Sequence, residues 1–278
     1  MTAVTTSSDP RTVTLITPKK RKRAYRPTLL GIAGSLGLLL LWEAVSRTEI
    51  VPAAYLPPAS TVLGTLGGLT LNPAFWSVIG ETMLSWTLGL GIASLLAIPA
   101  GLLLARNETA YRMCSAVIEA LRPIPPVILI PIVVLVLGST MGMKVFLVTF
   151  GVFWILLVQT IYGMRAVEPQ LLDMARSFRL NRRDVFFKIR LAGALPTLAA
   201  GLRLAATTAL VISIVAELVG GAPGLGREIL TAESFANFPL MYALILAAGI
   251  LGVLINALLK VITDRLLFWH PSVRKVVE

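Results

Sequence analysis

The sequence predicts an all-α membrane protein with about six transmembrane helices and both termini on the cytoplasmic side. Three observations carry this. First, 56% of the 278 residues are hydrophobic and 14% charged, and the mean hydropathy is +0.83. Soluble domains carry about 25% charged residues, so this chain has too little charge to cover a water-facing surface of its own size. Second, it holds six long apolar runs, at about 28–47, 80–105, 115–138, 143–163, 194–219 and 239–263. A bilayer core of about 30 Å takes roughly 20 helical residues to cross. A lone segment in lipid must be helical, because it has to satisfy its own backbone groups. Third, nineteen Lys and Arg fall in the loops on one side of these spans, against Arg47 and Arg227 on the other. The positive side is cytoplasmic.

Residues 1–27 hold Arg11, Lys19, Lys20, Arg21, Lys22, Arg23 and Arg26 with few apolar groups. They are expected to form a disordered basic arm at the membrane surface. The basic run, Leu29–Leu41 and Ala44-Val45-Ser46 together have the outline of a secretory signal. Trp42 and Glu43 break its spacing, so 28–47 is assigned as the first span. VPAAYLPPAS, Val51–Ser60, is a Pro-rich and nearly uncharged outer loop. Glu43 and Glu81 lie near outer span ends and can reach the interface. Arg106 and Arg112 mark the turn between spans two and three.

Pro123, Pro125, Pro126 and Pro131 crowd the third span, and each removes a backbone donor. The segment is either a bent helix that enters the membrane late or a discontinuous helix lining a central path. Glu119 and Arg122, three residues apart, can pair on one helix face. Span five contains Arg203 and Glu217, and ions inside a membrane are expected to be buried and partnered. Arg203 lies close enough to the cytoplasmic end to snorkel. Glu217 is expected near the external mouth, supporting the Gly-rich loop Gly220–Gly226. That loop opens GGAPGLGREIL, which also fits a plain irregular turn. Residues 269–278 form a short cytoplasmic tail with Arg274 and Lys275.

Several functions are disfavoured. The net charge of +11 follows from topology and does not require nucleic acid. Cys114 and His270 are each the only residue of their type, which rules out an intrachain disulfide and leaves no basis for a multi-Cys metal site or a His-based catalytic set. No catalytic residue and no metal ligand is assigned. There is no GxxxxGK[ST] phosphate loop. The absence of an internal repeat weakens an inverted-repeat secondary transporter. A channel, a scaffold or a membrane enzyme is weaker still.

Between spans four and five lies a basic island with Arg165, Arg176, Arg179, Arg182, Arg183, Lys188 and Arg190. From Glu168 to Arg190 it is predicted to form two short helices. Pro169 suits a first helical turn. Leu171, Leu172, Ala175 and Phe178 fall on one apolar face; Asp173, Arg176 and Arg179 form a charged one. Asn181, with Asp184 three residues on, resembles a capping box for a second helix. That helix carries Val185, Phe186 and Ile189 on one side, Lys188 and Arg190 on the other, and runs into Gly193 and Pro196. Topology needs charge but not amphipathic helices. An apolar helical face backed by charge offers a surface to a partner.

These residues resemble the cytoplasmic "EAA" loop of ABC-importer permease subunits, whose pattern is E-A-A, a Gly four residues on, then I-x-L-P. Asp173-Met174-Ala175 stands for E-A-A, and Ile189-x-Leu191 keeps the spacing. Leu121-Arg122-Pro123-Ile124-Pro125-Pro126, Glu168-Pro169, Ala175-Arg176-Ser177-Phe178, Gly193-Ala194-Leu195-Pro196, Gly201-Leu202-Arg203-Leu204-Ala205 and Ala216-Glu217-Leu218 are similar to the branch importing nitrate, taurine and alkanesulfonates. The resemblance covers about residues 28–268. Three positions depart from it: Asp173 replaces Glu, Arg179 replaces the turn Gly, and Ala192 replaces the Pro of I-x-L-P. An Arg is reluctant to adopt positive φ, so the turn is expected to shift to Asn181.

The resemblance implies the type I ABC-importer transmembrane fold, with a permease domain at 28–268 and a coupling loop at about 164–193, in the bacterial inner membrane. It implies a transporter subunit with no ATPase site or cofactor of its own; ATP and Mg would bind a partner. The implied partners are a second copy forming a homodimer, two ATP-binding-cassette subunits, an extracytoplasmic solute-binding protein and the lipid membrane. Leu171, Leu172, Asp173, Ala175, Arg176, Ser177, Phe178 and Arg179 would couple to the ATPase. Pro123, Pro125, Pro126, Arg203 and Glu217 would belong to the path or its gate. Gly220, Gly221, Pro223, Gly224 and Gly226 would lie at the binding-protein dock. The implied solute is a small anion or zwitterion of the sulfonate, taurine or nitrate type. The alternatives are a pyrimidine-like or aromatic solute, or an ion-coupled secondary transporter.

Overall fold

The computed structural model describes residues 26–48, 50, 52 and 54–267. Apart from Arg26 and Pro27, the basic arm lies outside the described residues, as does the tail 269–278. Among the described residues every regular element is helical: α1 (Arg26–Arg47), α2 (Ala59–Thr70), α3 (Pro73–Arg106), α4 (Glu108–Leu121), α5 (Ile130–Leu137) after a 3-10 turn at Pro126–Leu129, α6 (Met141–Arg165), α7 (Pro169–Ser177), α8 (Arg182–Gly220), α9 (Leu225–Ser234) and α10 (Phe238–Leu266). The chain divides into residues up to Leu41 and a larger unit, Trp42–Lys275. In the first, Leu30, Leu36, Leu38, Leu40 and Leu41 are exposed. The helices α2 to α10 all belong to the second.

Local chemistry starts the helices where the sequence allows it. Asn72, Asn107 and Asn237 each accept a hydrogen bond from a backbone amide of the next helix's first turn, at Ala74 (3.0 Å), Ala110 (3.1 Å) and Leu240 (3.3 Å). This satisfies donors that a helix leaves unpaired. Pro73 and Pro239 sit at the helical starts, where a missing N–H costs nothing.

Among the described residues, α3, α6, α8 and α10 are each long and apolar enough to cross a membrane. They carry the second, fourth, fifth and sixth expected spans; α1 covers the first. The third is broken: α4 and the segment Pro126–Leu137 meet at 75°. The missing donors at Pro123, Pro125 and Pro126 account for the break. The segment is interrupted and does not run on as one bent helix.

The island also differs from expectation. Gly193 and Pro196 do not end a second helix, because α8 runs unbroken for 39 residues through both. Its turns over Val185–Leu191 are of the wide π type, and the helix passes directly from them towards Pro196. The helices α2 and α9 have no counterpart among the expected spans. At 12 and 10 residues they are too short to cross. Phe75, Leu225, Ile229, Ala232, Leu244 and Ala247 form the core under α9.

The main core centres on α6, which packs densely against α3 and α8. Leu147, Val148, Val152 and Leu156 are buried there. Small residues let the helices approach. A Cβ at Gly89 would lie 2.5 Å from Val148 Cγ1, and one at Gly101 would lie 2.6 Å from Thr160 Cβ. Leu95, Leu103, Leu254 and Leu258 stay exposed, as fits the outer face of a membrane helix.

Candidate functional site

Three places gather the polar and reactive side chains. The first is the cytoplasmic loop. On α7, Leu171, Met174 and Phe178 form an exposed apolar strip, and Phe178 keeps 74% of its surface free. The expected face of Leu171, Leu172, Ala175 and Phe178 is therefore split. Ala175 is 2% exposed and turned inward. Leu172 and Arg176, more than about 100° around the helix from the strip, line a cavity on the other side. Met174 takes the vacated place. Asp173 pairs with Arg176 at 2.9 Å, and Ser177 Oγ donates to the Asp173 carbonyl oxygen.

The turn after α7 corrects a second expectation. Arg179 itself takes positive φ, at 52°, while Asn181 is extended at φ −70°, ψ 160°. The Arg179 amide donates to the Arg176 carbonyl at 2.9 Å, and the Leu180 amide donates to that of Ala175 at 3.0 Å. Together these make a Schellman closure with Arg where Gly is usual. The position cannot move, because Asn181 is already committed as the cap of α8, accepting from the Asp184 amide at 2.7 Å. Asp184 in turn pairs with Lys188 at 2.8 Å.

The second place lies beneath the outer Gly-rich loop. Lys144 and Glu217 have no exposed surface, and they pair at 3.1 Å. Lys144 also donates to the carbonyls of Glu81 (3.1 Å) and Pro223 (2.6 Å), which occupies all its ammonium protons. Glu217 further accepts from Thr82 Oγ1 and the Gly226 amide, each at 3.0 Å. Thr82 Oγ1 receives the Leu225 amide at 3.0 Å. One buried knot thus ties α3, α6 and α8 to the loop. Gly224, at φ 144°, and Gly226 are required here: a side chain would meet the Glu217 carboxyl at the first and the Ile214 carbonyl at the second. Of the five expected docking residues, Gly220, Gly224 and Gly226 are buried spacers, Gly221 is half-buried and Pro223 is exposed. Lys144 and Thr82 were not among the expected site residues. A lysine at the edge of an apolar run ordinarily reaches water, and nothing local signals its partner 73 residues away.

The third place is the hinge of the broken span. Glu119 and Arg122 do not form the expected ion pair. α4 ends at Leu121, and both side chains instead line a cavity of about 380 Å³ with Tyr111, Ser115 and Tyr162. Its wall is braced by Arg165, which pairs with Glu108 at 2.9 Å and stacks 3.9 Å above the Tyr111 ring. Arg203, half-buried on α8, has a buried Nε without a hydrogen-bond partner. Glu43 accepts from the Ser60 amide and hydroxyl at 3.0 Å, so it caps the start of α2.

Comparison with known proteins gives the same outline. The family described as binding-protein-dependent transport system inner membrane component matches residues 97–268. The taurine transport system permease protein of Escherichia coli (strain K12) is 26% identical over 254 residues, covering 90% of this chain and 92% of that protein. A permease of Bacillus subtilis (strain 168), named for aliphatic sulfonates transport, is 25% identical and covers 98% and 99%. The formylaminopyrimidine transport permease protein of Halalkalibacterium halodurans is 27% identical and covers 91% and 99%. A chain of the MetNI methionine ABC transporter in an inward-facing conformation superimposes with a TM-score of 0.61 at 21% identity, over 70% of this chain and 98% of its own. The chain therefore belongs to the binding-protein-dependent transport system inner membrane components, as a multi-pass permease subunit of an ABC importer.

Proposed function

We propose that two copies of this chain form the path for a small anionic or zwitterionic solute of the sulfonate or taurine type. Two ATP-binding subunits sit beneath the cytoplasmic loops, and an extracytoplasmic binding protein delivers the solute. The observation that carries this reading is the exposed strip of Leu171, Met174 and Phe178 on α7. Three large apolar groups on one short helix, at the positively charged face of the membrane, call for a protein groove. ATP and Mg bind in the partner subunits, which perform the hydrolysis. Closing of those subunits moves α7, and the movement passes into the spans.

The relatives named for taurine and aliphatic sulfonates support the solute class. The cavity at the hinge fits it chemically, since it offers the Arg122 guanidinium to an acid group and the Glu119 carboxylate to an amine. The formylaminopyrimidine relative favours a second reading, an aromatic solute taken between Tyr111 and Tyr162. Pro223, held out by the Lys144–Glu217 knot, presents a preformed surface to the binding protein. A preformed surface loses less ordering entropy on docking.

Uptake by the transporter reconstituted with its ATPase and binding protein tests this. ATP-dependent, vanadate-sensitive entry of taurine or an alkanesulfonate is expected. Entry driven by a proton gradient without the ATPase would overturn the importer mechanism. Entry of an aminopyrimidine but no sulfonate would overturn the solute class alone.

A further inference from the structure

Four arginines line one cavity at the foot of the spans, and no acidic residue lines it. The cavity holds about 560 Å³ between α3, α7 and the start of α8, and Arg106, Arg176, Arg182 and Arg190 surround it. Of the four, Arg176 alone has a carboxylate partner, Asp173, in an exposed pair. Arg106 lies over the Phe186 ring, 4.9 Å from its centroid. Arg182 and Arg190 make no ion pair among the described residues. Like charges gathered this way repel one another, and an anion would relieve the repulsion. Guanidinium forks match phosphate oxygens in geometry.

Depth and shape narrow the ligand. Arg106 is the last residue of span α3, and Arg190 stands a turn below the expected membrane limit of α8 near residue 194. Both sit at the level of the cytoplasmic headgroups, where basic pockets collect anionic lipid. The remaining wall is apolar, with Leu172, Leu180 and Phe186. A free inorganic anion has no use for that wall, whereas a glycerophospholipid covers it with its glycerol and upper acyl carbons. The cavity also lies on the opposite face of α7 from Leu171, Met174 and Phe178, so the lipid and an ATPase can be held together.

We propose that this cavity binds the phosphate of an anionic phospholipid of the cytoplasmic leaflet, which props α7 against the feet of α3 and α8. The test uses the full transporter, with its ATPase, in nanodiscs of phosphatidylcholine with or without phosphatidylglycerol. Hydrogen exchange over residues 169–191 is expected to be at least about tenfold slower with phosphatidylglycerol. Arg182→Gln with Arg190→Gln should abolish the difference, while Arg183→Gln with Lys188→Gln, equal in charge loss but outside the cavity, should keep it. Native mass spectrometry should find phosphatidylglycerol retained by the wild type and by the control pair, and lost from the cavity pair. Equal retention by all three would overturn the proposal. So would slowing by inorganic phosphate in pure phosphatidylcholine, which would mark a free-anion site. Loss of the ATPase from the cavity pair with its lipid retained would assign these arginines to the protein partner instead.

Discussion

Arg179 and Lys144 are where single side chains carry the most information. Arg179 holds a left-handed conformation that costs a non-glycine residue roughly 1–2 kcal/mol, and the hydrogen bonds of Leu180 and Asn181 leave the turn no other place. Arg179→Gly should therefore stabilise the loop by about 1 kcal/mol. Slower amide exchange at Leu180 would register it, and faster exchange would contradict it. Lys144 and Glu217 show the opposite economy. Their union is ordinary while complete, yet removing one member strands a charge where water cannot reach. Lys144→Met is expected to cost about 3–5 kcal/mol, and Lys144→Met with Glu217→Leu distinctly less than either change alone. Thermal unfolding of the two singles and the double measures this, and additive losses would contradict it. Gly224→Ala should destabilise through the same knot, because its new methyl would meet the Glu217 carboxyl.

At the scale of elements, α7 separates two tasks that its sequence mixes. Leu171→Asp or Phe178→Asp should weaken retention of the ATPase at least about tenfold, since each loses the roughly 1.5–3 kcal/mol of burying a large apolar group. Co-purification at increasing salt reads this out; undiminished retention would move the contact elsewhere. The amphipathic character of α7 was legible because Leu171, Ala175 and Phe178 repeat at helical spacing. Which of them faces out was not, because that depends on the start of α8 packing against α7, where Ala175 is buried. The spans and the Asn181 cap were legible for the same local reason, since hydrophobic runs and caps act within a few residues. The Lys144–Glu217 knot was not, because its members come from α3, α6, α8 and the outer loop. The four-proline run signalled a disturbed helix, but its 75° angle is set by packing, as where Gly151 admits Pro126.

For the whole molecule, topology is the testable claim. Phe178 after α7 and Phe235 after α9 are both exposed, and the charge bias puts them on opposite sides of the membrane. With Cys114 changed to Ser, a cysteine at 178 should react with an impermeant maleimide only in inverted vesicles, and one at 235 only in right-side-out ones. Reaction of both from one side would refute the arrangement. The unbroken helix Arg182–Gly220 then gains a mechanical meaning. Its 39 residues span about 58 Å at 1.5 Å each, from the arginine cavity to the loop that Glu217 anchors. It is one continuous helix from nucleotide side to solute side, and its π-type turns at Val185–Leu191 and its Pro196 place any bending near the cytoplasmic end. Pivoting it by roughly 5° about its middle would displace each end by about 2.5 Å in opposite directions, from its length alone. Spin labels at Leu204 and Val219, both exposed and beyond Pro196, should therefore keep their separation in every nucleotide state, while each shifts against α3.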